Sequence, residues 1–275
     1  MYRVTLPEMG FQAAWRAAAR CLASHAIPPE AVDWADVTLF SGEPIPEGRG
    51  PNAVFVPKSF LDLTRSVLCH KDTQAPSQLY AALMRHQTNR CPLHNPADSL
   101  TQSLAKMAKS VRRDLHKMHA FVRFHELPSV SGRRKFGSWF EPDHRIIEAA
   151  APFFAKRFAD MDWTIATPTG TARFQAGKLT FHKTIAAPNL PEDATTELWG
   201  VYFSNIFNPA RIKTSAMRSE MPLKYWKNLP ETRLIPEMLN AAEQRVLAMH
   251  EAVPKEPPKR AIKILDRRES DIKGT

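Results

Sequence analysis

Apolar residues recur at steps of three and four through some stretches of the chain and crowd into short β-prone runs in others, and this change of period divides it into helices and strands. The sharpest helical signal is residues 104–124, LAKMAKSVRRDLHKMHAFVRF. Leu104, Met107, Val111, Leu115, Met118 and Val122 fall there on one stripe that faces a core. Trp15 and Leu22, with intervening alanines, set an earlier helix over residues 11–26, ended by Pro28 and Pro29 because a residue before proline disfavours helical backbone. Phe60, Leu61, Thr64, Val67 and Leu68 share a face of another helix opening at Pro57, where no backbone donor is needed. Helices are further expected over residues 78–87, 141–158, 194–206 and 234–250, with one more opening at Asn208 and Pro209.

The β-prone runs are residues 120–126 and 135–140, which flank a loop holding Pro128 and Gly132, and residues 163–167, 171–175 and 178–182. A turn at Ala176 and Gly177 joins the last two, and residues 38–40 read as one isolated strand. The fold class that follows is α+β, mainly helical with a small antiparallel sheet of about five strands. Residues 41–52, rich in proline, glycine and charge, separate an N-terminal helix and linker (1–54) from an α+β core domain (55–250). Residues 251–275, rich in proline and charge, read as a flexible basic tail.

Composition narrows the class of partner. With 43% apolar residues in 275, the chain can bury a substantial core. Its 38 Lys and Arg against 28 Asp and Glu leave a net charge of +10, which favours anionic partners such as nucleic acid or acidic lipid. No apolar run approaches the roughly 20 residues that cross a bilayer, and the N-terminus lacks an apolar signal core, so no membrane partner and a cytoplasmic location are expected. Cys21, Cys69 and Cys91 are odd in number and widely spaced, which gives neither a disulfide framework nor a four-ligand zinc motif. No cofactor is expected.

Three groups of residues carry candidate chemistry. Lys106, Lys109, Arg113 and Lys117 repeat the helical step and project a line of cations suited to a phosphate backbone, a pattern shared with any solvated basic face. Arg211, Lys213, Lys224 and Lys227 are interleaved with Tyr225 and Trp226, as a single-stranded or flipped nucleotide would require, and equally as aromatic core anchors under a basic surface would look. His116 and His119, with Glu141, Asp143 and His144, form a candidate acid–base or metal-assisted set at helix–strand corners, although Glu141 and Asp143 also suit the capping of a helix start. The chain lacks a Gly-rich phosphate loop, a Gly-x-Ser-x-Gly elbow and a His-Glu-x-x-His helix, which weighs against familiar nucleotide-hydrolysing, esterase and zinc-protease chemistries.

Four stretches, FVPKSFLDLTRSVLCHKD, LAKMAKSVRRDLHKMHAFVRF, WFEPDHRIIEAAAPFFAKRFADMDWTIATP and NIFNPARIKTSAMRSEMPLKYWKNLPE, resemble a bacterial domain family of unknown function labelled a probable DNA-metabolism protein. The resemblance spans about residues 2–237, with a departure at QLYAALMRHQTNR, where that family carries a more aromatic helix. It implies company rather than chemistry: such domains occur fused to or encoded beside X-type uracil-DNA glycosylase superfamily proteins and a radical-SAM protein thought to modify or repair DNA. Uracil-reading motifs and the radical-SAM three-cysteine cluster are both missing, and the resemblance transfers no catalytic residue. The expectation is a nucleic-acid-binding accessory protein acting on single-stranded or damaged DNA, with a uracil-DNA glycosylase-like protein and a radical-SAM protein as partners. Two alternatives stand beside it: a metal-assisted nuclease or other hydrolase, and a protein-docking module without affinity for nucleic acid.

Overall fold

The computed structural model describes residues 1–34, 42–89, 95, 97–129, 132–184, 221–238, 244 and 247. Its longest element is α4 (Ser99–Phe121), preceded in the chain by β1 (Tyr2–Arg3), α1 (Phe11–Ser24), β2 (Val32–Asp33), α2 (Lys58–Val67) and α3 (Ala75–Asn89). Asp98 opens α4 by accepting the Thr101 backbone N–H at 2.9 Å, the expected work of an acidic cap on an orphan donor. The helix ends where Val122 turns extended. Residues 120 and 121, expected in a strand, therefore belong to the helix, and the strand is shorter than its β-prone run.

Five strands form the main sheet: β3 (His125–Leu127), β4 (Lys135–Trp139), β5 (Asp162–Thr167), β6 (Gly170–Gln175) and β7 (Lys178–His182), with α5 (Ile147–Arg157) between β4 and β5. They are adjacent in chain order, and β3–β4, β5–β6 and β6–β7 pair antiparallel as expected. The β4–β5 pair is instead parallel, with Phe136 opposite Trp163 and Ser138 opposite Ile165. The reason is α5, which carries the chain back to the starting end of the sheet, as any parallel pair needs a long crossover. Ala176 and Gly177 both take positive φ in the β6–β7 turn, the geometry that a tight hairpin of this twist demands. The fold is α+β.

One buried cluster runs from Val4 through Phe11, Trp15 and Leu22 of α1 to Phe154, Trp163 and Leu229. The N-terminal helix is thus a wall of the core, and the boundary expected at residue 54 does not divide it. The Trp15 indole donates to the Pro76 carbonyl at 3.2 Å, and the Tyr80 hydroxyl donates to the Ile27 carbonyl at 2.7 Å. Trp34 stacks between the two, its ring 5.7 Å from Trp15 and 5.6 Å from Tyr80. Over the sheet, Phe154 of α5 lies within 6.3 Å of Trp163, which stacks on Phe174 at 5.5 Å. Among the described residues no helix is long and apolar enough to cross a membrane.

The helix expected from residue 141 begins later, at Ile147, with no side-chain cap. Residues 141–146 form a loop because their backbone donors are engaged elsewhere: the His144 N–H bonds Asp114 and the Arg145 N–H bonds the Cys69 carbonyl at 2.9 Å. Of the helix expected over residues 234–250, residues 235–238 are helical. The strand at 38–40, the helices at 194–206 and from Asn208, and the tail at 251–275 lie outside the described residues.

The aromatic cluster sets a stability prediction. Phe154→Ala should cost about 3–5 kcal/mol in urea denaturation, the usual price for emptying a packed phenyl site. Phe153→Ala, one residue along α5 but 44% exposed, should cost less than about 1 kcal/mol. Equal losses would place the cluster outside the cooperative core.

Candidate functional site

Helical spacing puts residues 106, 109, 110, 113, 114 and 117 on one side of α4. That side forms a wall of a groove of about 450 Å³, lined by Lys106, Lys109, Ser110, Arg113, Asp114 and Lys117, with Asp143 from the 141–146 loop and Pro222, Lys224 and Tyr225 opposite. Lys106, Lys109 and Arg113 are exposed. Lys117 departs from the expected projecting line: it is only 9% exposed, and its ammonium sits 5.9 Å from the Phe121 ring centre, where a cation gains from the ring face. Lys224 Nζ pairs with Asp143 Oδ2 at 2.7 Å.

Beneath the cations lies Asp114, 5% exposed. Its Oδ2 accepts the His144 backbone N–H at 2.9 Å, and its Oδ1 accepts the Tyr225 hydroxyl at 3.2 Å. Burial raises the carboxyl above its ordinary range, and the two hydrogen bonds only partly offset it. Tyr225 is 2% exposed and stacks on Phe140 at 5.0 Å and 11°. Its ring is thus a core anchor rather than a platform for a base, which corrects the expectation from sequence. Trp226 is half-buried, with its indole N–H donated to the Met221 carbonyl at 3.0 Å.

His144, 3% exposed, completes the floor. Its Nδ1 accepts the Lys71 backbone N–H at 3.2 Å, its Nε2 lies 2.8 Å from Ser110 Oγ, and its ring is 4.5 Å from that of His70. Burial, then the neighbouring His70, pushes its pKa down to about 4, so the ring is neutral near pH 7. A neutral ring whose Nδ1 takes a hydrogen bond carries its proton on Nε2. The Ser110–His144–Asp114 grouping therefore only superficially resembles a catalytic triad. The carboxylate holds the backbone amide of His144 instead of its imidazole, and Nε2 has no lone pair with which to take a serine proton.

The five candidate acid–base residues are not brought together. Asp143 and His144 border the groove, whereas Glu141 accepts the Trp139 indole N–H at 3.2 Å. His116 is exposed on α4, and His119 stacks on Phe153 at 4.1 Å, its pKa lowered by burial. No three His, Cys, Asp or Glu side chains are grouped to hold a metal ion among the described residues. Arg211, Lys213 and the Lys227 side chain lie outside the described residues. Sequence reasoning missed Ser110 altogether and gave Asp114 no role; the only signal for either was its place among the cations, at the same helical step.

Fold and groove together define an α+β protein with a cation-rimmed polar cleft along its longest helix. The chain belongs to DUF4130, a domain of unknown function, which matches residues 73–231. Every side chain lining the groove falls inside that match. No curated protein and no solved structure matches the chain.

The buried imidazole predicts an acid-labile fold. In the unfolded chain His144 takes up its proton near pH 6.5, whereas the folded protein refuses it until about pH 4. Its stabilising contribution is thus complete above the first value and lost as pH falls toward the second. Asp114, raised by burial, has the opposite sign and contributes more as pH falls. His144→Gln removes only the first of these. Between about pH 7.5 and about pH 4.5, wild type should lose about 2 kcal/mol more than the variant in urea denaturation; equal losses would clear His144 of the effect.

Proposed function

We propose that this protein binds single-stranded or damaged DNA through the α4 groove, as an accessory of DNA repair or base modification. The observation that carries the reading is the convergence of Lys106, Lys109, Arg113, Lys117 and Lys224 on one groove that holds only Asp114 and Asp143 as acids. Asp143 is already paired with Lys224, so the open rim is cationic. Over the stretch from Lys106 to Lys117 the helix rises about 16 Å, enough to meet several successive phosphates of one strand. The accessory role follows from the neutral, proton-bearing His144 and the dispersed acid–base residues, which offer no assembled machinery for cleavage. Base excision or modification then falls to partners, and the resemblance of the sequence points to a uracil-DNA glycosylase-like protein and a radical-SAM protein.

The test is a salt series with a single-stranded oligonucleotide. Each phosphate contact releases counterions, so replacing Lys106, Lys109 and Arg113 together by Ala should weaken binding and flatten the log–log salt slope by about 2. A slope unchanged by the triple substitution would falsify the assignment of this face. Uracil-containing strands should be bound and returned uncut, with divalent metal present or chelated; a cleaved product would make the protein an enzyme.

A further inference from the structure

Ser110 stands at the centre of the cationic rim. Lys106 lies one turn before it, Lys109 beside it and Arg113 three residues on, so their side chains surround its hydroxyl on the helix surface. The residue is exposed, yet its Oγ is held 2.8 Å from the buried His144 Nε2. That nitrogen carries the proton, because the Lys71 amide N–H occupies Nδ1. The imidazole therefore donates, and one lone pair of the serine oxygen is taken.

A helical serine commonly turns its own proton back to the carbonyl one turn earlier. Among the described residues the His144 contact is the one hydrogen bond that Ser110 Oγ makes. A hydroxyl has one donor and two acceptor sites, so its proton is left to point at the groove. The oxygen cannot wander, since His144 is itself fixed by Lys71, by His70 and by its own amide bond to Asp114. Lysine and arginine ends, by contrast, must be immobilised when they bind, at a cost in side-chain freedom.

We propose that Ser110 is the fixed phosphate-anchoring donor of this groove, its hydroxyl aimed at a phosphate oxygen held between Lys106, Lys109 and Arg113. The proposal rests on the reading of the groove as a nucleic-acid surface and adds the element that sets where along the helix a phosphate sits. The cations attract the strand, and the serine gives it a register. A donor of this kind carries no charge, which separates its effect from theirs.

Ser110→Ala is the decisive variant, because an exposed serine can be truncated without opening the core. Two probes are needed: a single-stranded oligonucleotide, followed by fluorescence anisotropy across a salt series, and inorganic phosphate, followed by the ¹⁵N shift of the His144 imidazole. The expected result is a loss of oligonucleotide affinity of roughly tenfold or more in Ser110→Ala with the salt slope unchanged, since no charge has been removed. Phosphate should move the imidazole resonance in wild type and leave it in place in the variant. Binding by Ser110→Ala within about twofold of wild type, or a wild-type resonance that phosphate does not move, overturns the proposal. If the oligonucleotide fails to bind wild type while phosphate still moves the resonance, Ser110 stands as a phosphate donor and the nucleic-acid reading is what fails.

Discussion

A single buried carboxylate holds the groove together. Asp114 hydrogen-bonds the backbone of the 141–146 loop through one oxygen and the hydroxyl of Tyr225 through the other. It thereby ties α4 to two segments 30 and 111 residues further along the chain. A buried anion is expensive unless its lone pairs are satisfied. Here both oxygens are engaged, and the cations around the rim supply a favourable field. Removing either partner would leave a desolvated oxygen, so loop, helix and turn have reason to move together or not at all.

The sheet and α5 supply the rigidity behind this arrangement. The crossover through α5 makes β4 and β5 parallel, which brings the end of β4 and the following loop onto the face of α4. The Arg145 guanidinium donates to the Glu8 carbonyl at 3.0 Å and covers the Phe11 ring at 4.4 Å, while the Gly10 N–H donates to Glu148 Oε1 at 2.6 Å. Both ends of the loop are thus anchored to the N-terminal segment, and His144 is held between anchored neighbours.

Much of this was legible in the sequence, for a local reason. The apolar stripe of α4 and the three runs that became β5, β6 and β7 follow periods that depend only on neighbouring residues, and the cations of the rim share the helical step. What was not legible depends on contacts distant in the chain. Periodicity treats Lys117 like Arg113, although one is packed beside Phe121 and the other faces water. It cannot show that Tyr225 will be covered by Phe140, or that His144 will give up capping α5 in order to sit under Ser110. The parallel pairing of β4 and β5 escaped because strand direction is set by what lies between the strands rather than by the strands themselves.

The family match begins at residue 73, but the packing does not. Tyr80 finds the acceptor for its hydroxyl at Ile27, Trp15 lies against the first turn of α3, and the amide that occupies His144 Nδ1 belongs to Lys71. The stretch shared with relatives is consequently smaller than the stretch that folds as one piece. A fragment cut at the edge of the kinship would lose the wall formed by α1 and, with Lys71, the group that decides which ring nitrogen of His144 holds its proton. In this chain the protonation geometry at the groove is set from outside the region by which the protein is recognised.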